Sequence, residues 1–371
     1  RMMFLIFLVF TIPKKNKTSI KFHFSSGSHL TIDLPEIEGI RTAFINRIHH
    51  LKKNVLHFDS KSWIPNPSWI YRLISKEPHY DLLSNLYCNS YPSYFLLPKN
   101  VPSYFIRQSS HCRSRERFPI LTYVYNSDIE NLEDKIYLLR SSQPLNILTK
   151  SKSDCEHEYL AAVCGSHGLS IIDCRPQKNA FAYELIGKGY ESTADIKKFI
   201  PDVSFHFLGI QHAYKTRERY VSMMRKIFHG KSRPYKKWGK RIMQLLRKSS
   251  FVVNNIISLS RSVLVHCSDG WDRTSQICSL TQIMIDPFYR TLKGFIELIQ
   301  KDWIDMGHMF CSRCAHVQSE NFDEKSPIFA QFIDAVAQLL NKYQKEFEFN
   351  LLFLQLILSS AYSQLFGDFL G

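Results

Sequence analysis

A chain of 371 residues with 44% hydrophobic side chains and no low-complexity tract is globular throughout, long enough for one large domain and a small one. Its formal charge of +15 suits an acidic partner, and since no segment looks like a nucleic-acid module, an anionic membrane surface is expected and no nucleic acid. Nine cysteines without a regular framework exclude a disulfide scaffold and imply a reducing, intracellular compartment.

The first ten residues, Arg1 to Phe10, imitate a signal-peptide core. They are too short to span a bilayer, and no small-residue cleavage site follows. A buried strand ahead of the basic turn Pro13 to Lys17 explains them better, and a chain opening on Arg reads as a fragment. Segments 19–24 and 29–34 alternate apolar with polar residues, as half-buried antiparallel strands do. Pro35 then opens a helix through Ile40, Phe44, Ile45 and Ile48. From Trp63 to Lys99 the chain is aromatic and broken by prolines, with a short helix over 69–74.

The basic cluster Arg113, Arg115 and Arg117 is read as a structural turn before a strand over 118–125. A helix over 158–162, a buried strand over 169–173 and a further strand over 204–210 follow. This alternation predicts an α/β layer with a central sheet. Asp173 and Arg175 sit at a strand's carboxyl end, where open α/β sheets gather their sites. Support of a site and a purely structural tie both stay open for them. Residues 215–260 read as helical and strongly basic, leaving open a solvated face and a lipid-facing one.

Val263, Leu264 and Val265 form the end of a buried strand, and Ile277, Leu280, Ile283 and Met284 are spaced as on a helix. Between them, Cys267 to Arg273 turns from a strand's carboxyl end into a helix's amino end. Backbone N–H groups and the helix dipole converge there on an anion. A thiolate at Cys267 would lie in that cradle as nucleophile, and Arg273 offers a planar fork for two phosphate oxygens. Asp272 and Asp269 lie within the loop to protonate a leaving alkoxide, and Asp272, beside Arg273, is the favoured acid. Ser268, Gly270 and Trp271 complete the cradle; His266 and Thr274 support it.

Beyond it, Asp286–Pro287 stops the helix, another runs over 288–306 to Gly307, and apolar core helices close the chain from Ser326 to Phe369. Cys311, Cys314 and His316 suggest zinc, but no second Cys or His pair lies at finger spacing, so they read as structural thiols. The chemistry of the loop calls for no metal and no cofactor.

The string from His266 to Thr274, His-Cys-Ser-Asp-Gly-Trp-Asp-Arg-Thr, resembles the signature loop of the myotubularin family, cysteine-dependent phosphatases of 3-phosphorylated phosphoinositides. The resemblance covers about residue 85 to 371, and the Gly187-Lys-Gly-Tyr-Glu191 run and the helix after the loop look closest to the subgroup numbered six to eight. It implies a protein-tyrosine-phosphatase-like domain over 59–371, with a central mixed sheet flanked by helices. Ahead of it, 1–58 would be the carboxyl-terminal part of a PH-GRAM β-barrel domain. The implied activity removes the 3-phosphate of phosphatidylinositol 3-phosphate, and of the 3,5-bisphosphate as a further substrate, through a phosphocysteine. Implied surroundings are cytoplasmic, peripheral on endosomal or other phosphoinositide-bearing membranes, with homo- or hetero-oligomers with a myotubularin-related protein. Arg313 matches a basic residue that the family supplies to the inositol head group. Tyr183 and His212 stand where active members carry Asn, and Met309 where relatives carry Arg or Lys. A dual-specificity protein phosphatase and a catalytically weak lipid-binding adaptor remain the alternatives.

Overall fold

The computed structural model describes residues 9–11, 19–23, 29–33, 68–76, 79–126, 135–145, 150–184, 189–316, 324–363 and 365–369. The chain forms two compact units, Arg1–Ser68 and Trp69–Gly371. In the first, β1 (Val9–Thr11), β2 (Ser19–His23) and β3 (His29–Asp33) make an antiparallel sheet in that order. Ile20 pairs with Ile32 and Phe22 with Leu30, so the alternation read in the sequence puts apolar positions opposite one another. The helix expected from Pro35 lies outside the described residues.

The second unit opens with α1 (Ser68–Lys76), the hairpin β4 (Tyr80–Ser84) and β5 (Tyr94–Pro98), and α2 (Ser103–Cys112). Its centre is built from β6 (Ile120–Asn126), β7 (Lys135–Ser142), β8 (Leu169–Asp173), β9 (Val203–Phe207) and β10 (Ser262–Cys267), in the order β6-β7-β10-β8-β9. Strand β6 is antiparallel to β7, and the other pairings are parallel. This is the expected mixed sheet. Strand β10 is buried along its whole length, as its β-branched apolar run requires of a central parallel strand.

Helices α3 (Lys150–Cys164), α4 (Gln177–Glu184), α5 (Thr193–Ile196), α6 (Ala213–Phe228) and α7 (Lys236–Ile257) connect the parallel strands. The basic segment is therefore two helices, because Gly230 at φ +59 and Pro234 break it. The strand expected over 204–210 is shorter, and the helix expected over 288–306 divides into a 3₁₀ turn (Pro287–Arg290), α9 (Leu292–Ile299) and a wide turn (Gln300–Asp305) after α8 (Arg273–Ile285). Short α10 (Phe310–Arg313) precedes α11 (Ile328–Lys342) and α12 (Leu351–Ser363). No helix among the described residues is long and apolar enough to cross a membrane.

Helix α8 is buried on every face rather than along one stripe. Its polar residues are consequently paired: Gln282 donates to Asp302 at 2.7 Å, and Ser279 accepts from the Trp303 indole at 3.0 Å. Asp302 is also the partner of Arg140, whose Nη1 lies 2.8 Å from its carboxylate and 2.8 Å from its carbonyl, with both side chains fully buried. Removing one member strands the other charge in the core. Arg140→Ala is expected to destabilise this unit by roughly 3–5 kcal/mol, read as a lowered urea midpoint.

Candidate active site

The loop from Cys267 to Arg273 begins where β10 ends and finishes as α8 begins. Gly270 makes the turn at φ +80, and a Cβ there would collide with the Ser141 carbonyl, so backbone conformation and close approach both demand glycine. The Gly270 N–H donates to Cys267 Sγ at 3.3 Å. Its carbonyl points the other way, into the protein, where Arg140 Nη2 donates to it at 2.8 Å and Arg117 Nη2 at 3.3 Å. Two guanidiniums thus hold the peptide with its N–H toward the sulfur. Further along, Gln143 N–H binds the Ser268 carbonyl at 3.1 Å, and Ser275 Oγ binds the Trp271 carbonyl at 3.0 Å.

Arg273 opens α8 and turns back across the loop, donating to Ser268 Oγ at 2.8 Å and to the Ile210 carbonyl at 3.4 Å. Among the described residues it meets no carboxylate within ion-pair distance. Its charge is uncompensated beside the thiol, as a phosphate-binding fork requires.

Asp272 is in the opposite condition. Arg313 Nη2 lies 2.9 Å from its Oδ2, and Arg313 Nε reaches both oxygens at 3.2 Å. His308 Nδ1 sits 3.1 Å from Oδ1 and 2.8 Å from the Trp271 carbonyl, so its N–H is shared between them. Burial alone would raise the Asp272 carboxyl, but Arg313 and His308 outweigh it and hold it well below the usual carboxylate range. Arg313 is therefore engaged with Asp272, and also donates to the Glu324 carbonyl at 2.9 Å. Asp269 is more open, 3.6 Å from Arg115.

Beneath the loop, His266 Nε2 lies 2.9 Å from Glu191, which is also bound by Arg113 at 2.7 Å. Burial would raise Glu191, yet His266 and Arg113 hold it as a carboxylate. Asp173 takes the Arg175 guanidinium at 2.7 to 3.0 Å, and Arg175 donates to the Gly189 carbonyl at 3.0 Å. Asp173 pairs in register with His266. Thr274 is fully buried in the first turn of α8.

His212 precedes α6 and is half-buried; burial first, then Arg273, lowers its pKa from the ordinary value. It joins the electrostatic surroundings of the loop. Tyr183 falls on α4, with its side chain outside the described part. Met309 lies just before α10 and is half-buried.

Sequence reasoning treated 113–117 as a single structural turn. Arg113 and Arg117 are indeed buried, but Arg115 is 65% exposed and held at φ 59, with its guanidinium 5.6 Å over the Trp271 ring. It is a cation at the loop mouth that composition could not separate from its neighbours. Among the described residues no group of His, Cys, Asp and Glu gathers that could hold a metal ion, Cys311 and Cys314 included. A cradled thiol, an uncompensated arginine and two loop carboxylates together suit nucleophilic displacement at phosphorus.

Comparison with known proteins agrees. The family described as myotubularin-like phosphatase domain matches residues 49–371. The chain is 36% identical to the phosphatidylinositol-3,5-bisphosphate 3-phosphatase MTMR8 of Gallus gallus, over 83% of this chain and 48% of that protein. It is 36% identical to the phosphatidylinositol-3-phosphate phosphatase MTMR7 of Pongo abelii, over 81% and 46%, and 34% identical to the phosphatidylinositol-3,5-bisphosphate 3-phosphatase MTMR2 of Gallus gallus, over 83% and 53%. The chain spans about half the length of these curated relatives.

Gly270→Ala tests the loop directly. Displacing the Gly270 N–H from the sulfur is expected to lower turnover of an aryl phosphate by on the order of a hundredfold or more, measured with urea stability in parallel.

Proposed function

The chain belongs to the myotubularin-like phosphatase family, and from that premise we propose that it removes the 3-phosphate of phosphatidylinositol 3-phosphate. The observation that carries this reading is Arg273, its charge uncompensated among the described residues, closing a loop whose Gly270 N–H is aimed at Cys267 Sγ. The names of two relatives, one a phosphatidylinositol-3-phosphate phosphatase and one a 3,5-bisphosphate 3-phosphatase, support the substrate class.

In the proposed mechanism the Cys267 thiolate attacks phosphorus in line, the P–S bond forms and the bond to the inositol oxygen breaks. Arg273 and the loop N–H groups take up charge on the transferring phosphoryl group. Asp272 gives the leaving oxygen its proton. Water then displaces the thiolate, releasing inorganic phosphate. Because Arg313 and His308 keep the resting Asp272 ionised, its proton arrives with the substrate, bound as the phosphate monoanion. Arg313 serves the reaction through Asp272, and His212 and Tyr183 are the residues proposed for the head group. With Met309 in place of a further cation, the 3-monophosphate is the better substrate and the 3,5-bisphosphate the poorer.

The rest of the proposal concerns setting. Residues 1–58 are the end of a PH-GRAM domain, and 59–371 the phosphatase domain. The protein acts in the cytoplasm, peripherally on endosomal or other phosphoinositide-bearing membranes, alone or paired with another myotubularin-related protein.

Vesicles carrying phosphatidylinositol 3-phosphate or the 3,5-bisphosphate, with a phosphotyrosine peptide in parallel, test the reaction. Release from the monophosphate that vanishes in Cys267→Ser is expected, with less from the bisphosphate and little from the peptide. Strong peptide turnover would instead identify a protein phosphatase, and lipid binding without release an adaptor. A pH profile tests the proton's source. A monoester's second ionisation lies near about pH 6, so kcat/KM should decline above it. Arg313→Ala removes a positive neighbour, so the Asp272 carboxyl rises from far below the carboxylate range but stays ionised at about pH 6, and the alkaline limb, set by the substrate, should not move. A limb that moved upward in this variant would instead make Asp272 itself the group that brings the proton to the complex.

A further inference from the structure

The chain's charge is concentrated in one hairpin. Residues 213–257, helices α6 and α7 with the turn between them, hold thirteen of the 48 lysines and arginines and one of the 33 acidic residues. That single carboxylate, Glu218, is already engaged by Lys215 at 2.9 Å. A solvated helix normally intersperses both signs, so a run this one-sided asks for an anionic counterpart.

The tip of the hairpin is also apolar. Phe228, at the carboxyl end of α6, is 66% exposed, and Met243, on the outer face of α7, is 47% exposed. Lys236 and Lys240 lie on that same outer face as Met243 at helical spacing, and Lys231 and Arg233 are exposed in the turn. The inner face is spoken for: Trp238, Ile242 and Leu245 are buried, and the Trp238 indole donates to Asp334 at 2.6 Å.

The orientation of α7 brings this end to the catalytic side of the sheet. The helix leads into β10, whose carboxyl end carries Cys267, so its amino end returns toward the loop. Arg241, Gln244 and Leu245 line one small cavity with Ile210 and Gln211. The Ile210 carbonyl, in turn, accepts from Arg273.

We infer that the α6–α7 hairpin tip docks on an anionic lipid bilayer, with the lysines and arginine in the headgroup field and Phe228 and Met243 in the interface. The choice of a bilayer over other polyanions rests on the proposed lipid substrate, which such docking would present to the loop from the same side.

The test separates docking from chemistry. The full chain is sedimented with vesicles of phosphatidylcholine and phosphatidylserine that contain no phosphoinositide, and with phosphatidylcholine alone. Binding only to the serine-containing vesicles is expected, weakening with salt. At roughly one kcal/mol per basic residue near the surface, K236E/K240E should lower partitioning more than tenfold. Phe228→Ser should weaken binding while leaving its salt dependence. Both variants should hydrolyse a dispersed short-chain phosphatidylinositol 3-phosphate like the parent, which also reports that they are folded. Variants that bind vesicles as the parent does would overturn the proposal. So would a single-stranded oligonucleotide that strips the parent from vesicles and binds it tightly but not K236E/K240E, which would make the hairpin a nucleic-acid surface. Hairpin-dependent binding with no hydrolysis of any lipid would leave the docking surface standing and remove the phosphatase reading.

Discussion

The Gly270 carbonyl is the point on which the site depends. A loop that turns N–H groups toward an anion must turn its carbonyls away from it, and here one of those carbonyls is sent into the protein interior. An unpaired buried carbonyl would cost as much as a lost hydrogen bond, so the loop conformation persists only while something behind it donates. Arg140 and Arg117 do so together. Arg140 is in turn held by Asp302 and Ser275, and Arg117 by Ser90 and the Met306 carbonyl. The geometry at one sulfur thereby draws on the β5 hairpin loop, β7, α8 and the wide turn after α9.

Charge balance explains how so many ionised groups survive burial near the loop. Arg113 meets Glu156 and Glu191, Arg175 meets Asp173, Arg140 meets Asp302, and Arg313 meets Asp272. Each of these four guanidiniums is offset by a carboxylate with aligned hydrogen bonds, the condition under which buried pairs are tolerated. Arg117 and Arg273 differ, each facing only a hydroxyl and carbonyls among the described residues. Arg117 spends its donors on the protein's own carbonyls, so it is Arg273 whose charge faces the loop without a carboxylate.

The sequence made the loop and the sheet legible because both are local. Strand β10, the turn and α8 are contiguous, and the apolar run of 263–265 and the left-handed glycine at 270 carry their own signals. What it concealed are partnerships between distant residues. Arg313 and Asp272 are 41 positions apart, and Arg117 and Gly270 153 apart; no local pattern distinguishes a guanidinium bound for a carboxylate from one left for substrate. The cluster 113–117 shows the same blindness at short range. Two of its arginines turn inward and one outward, because the φ of +59 at Arg115 and Glu116 reverses the chain. The break in the long basic helix was readable at Gly230 and Pro234, but the continuous charge run obscured it.

The strand order has a consequence for the order in which the chain is made. Strand β10 lies between β7 and β8, yet it follows both in sequence by about a hundred residues. Until residue 267 is available, β7 and β8 have no common neighbour, and each presents a bare edge of unsatisfied backbone groups. Between the end of β9 and the end of β10 the nascent sheet is therefore two incomplete halves, a topology of high contact order that folds slowly and exposes pairing edges meanwhile. Its last sheet strand to emerge is also the one that ends in Cys267, so the loop cannot take its place before the sheet closes, and His308 and Arg313 reach Asp272 only later.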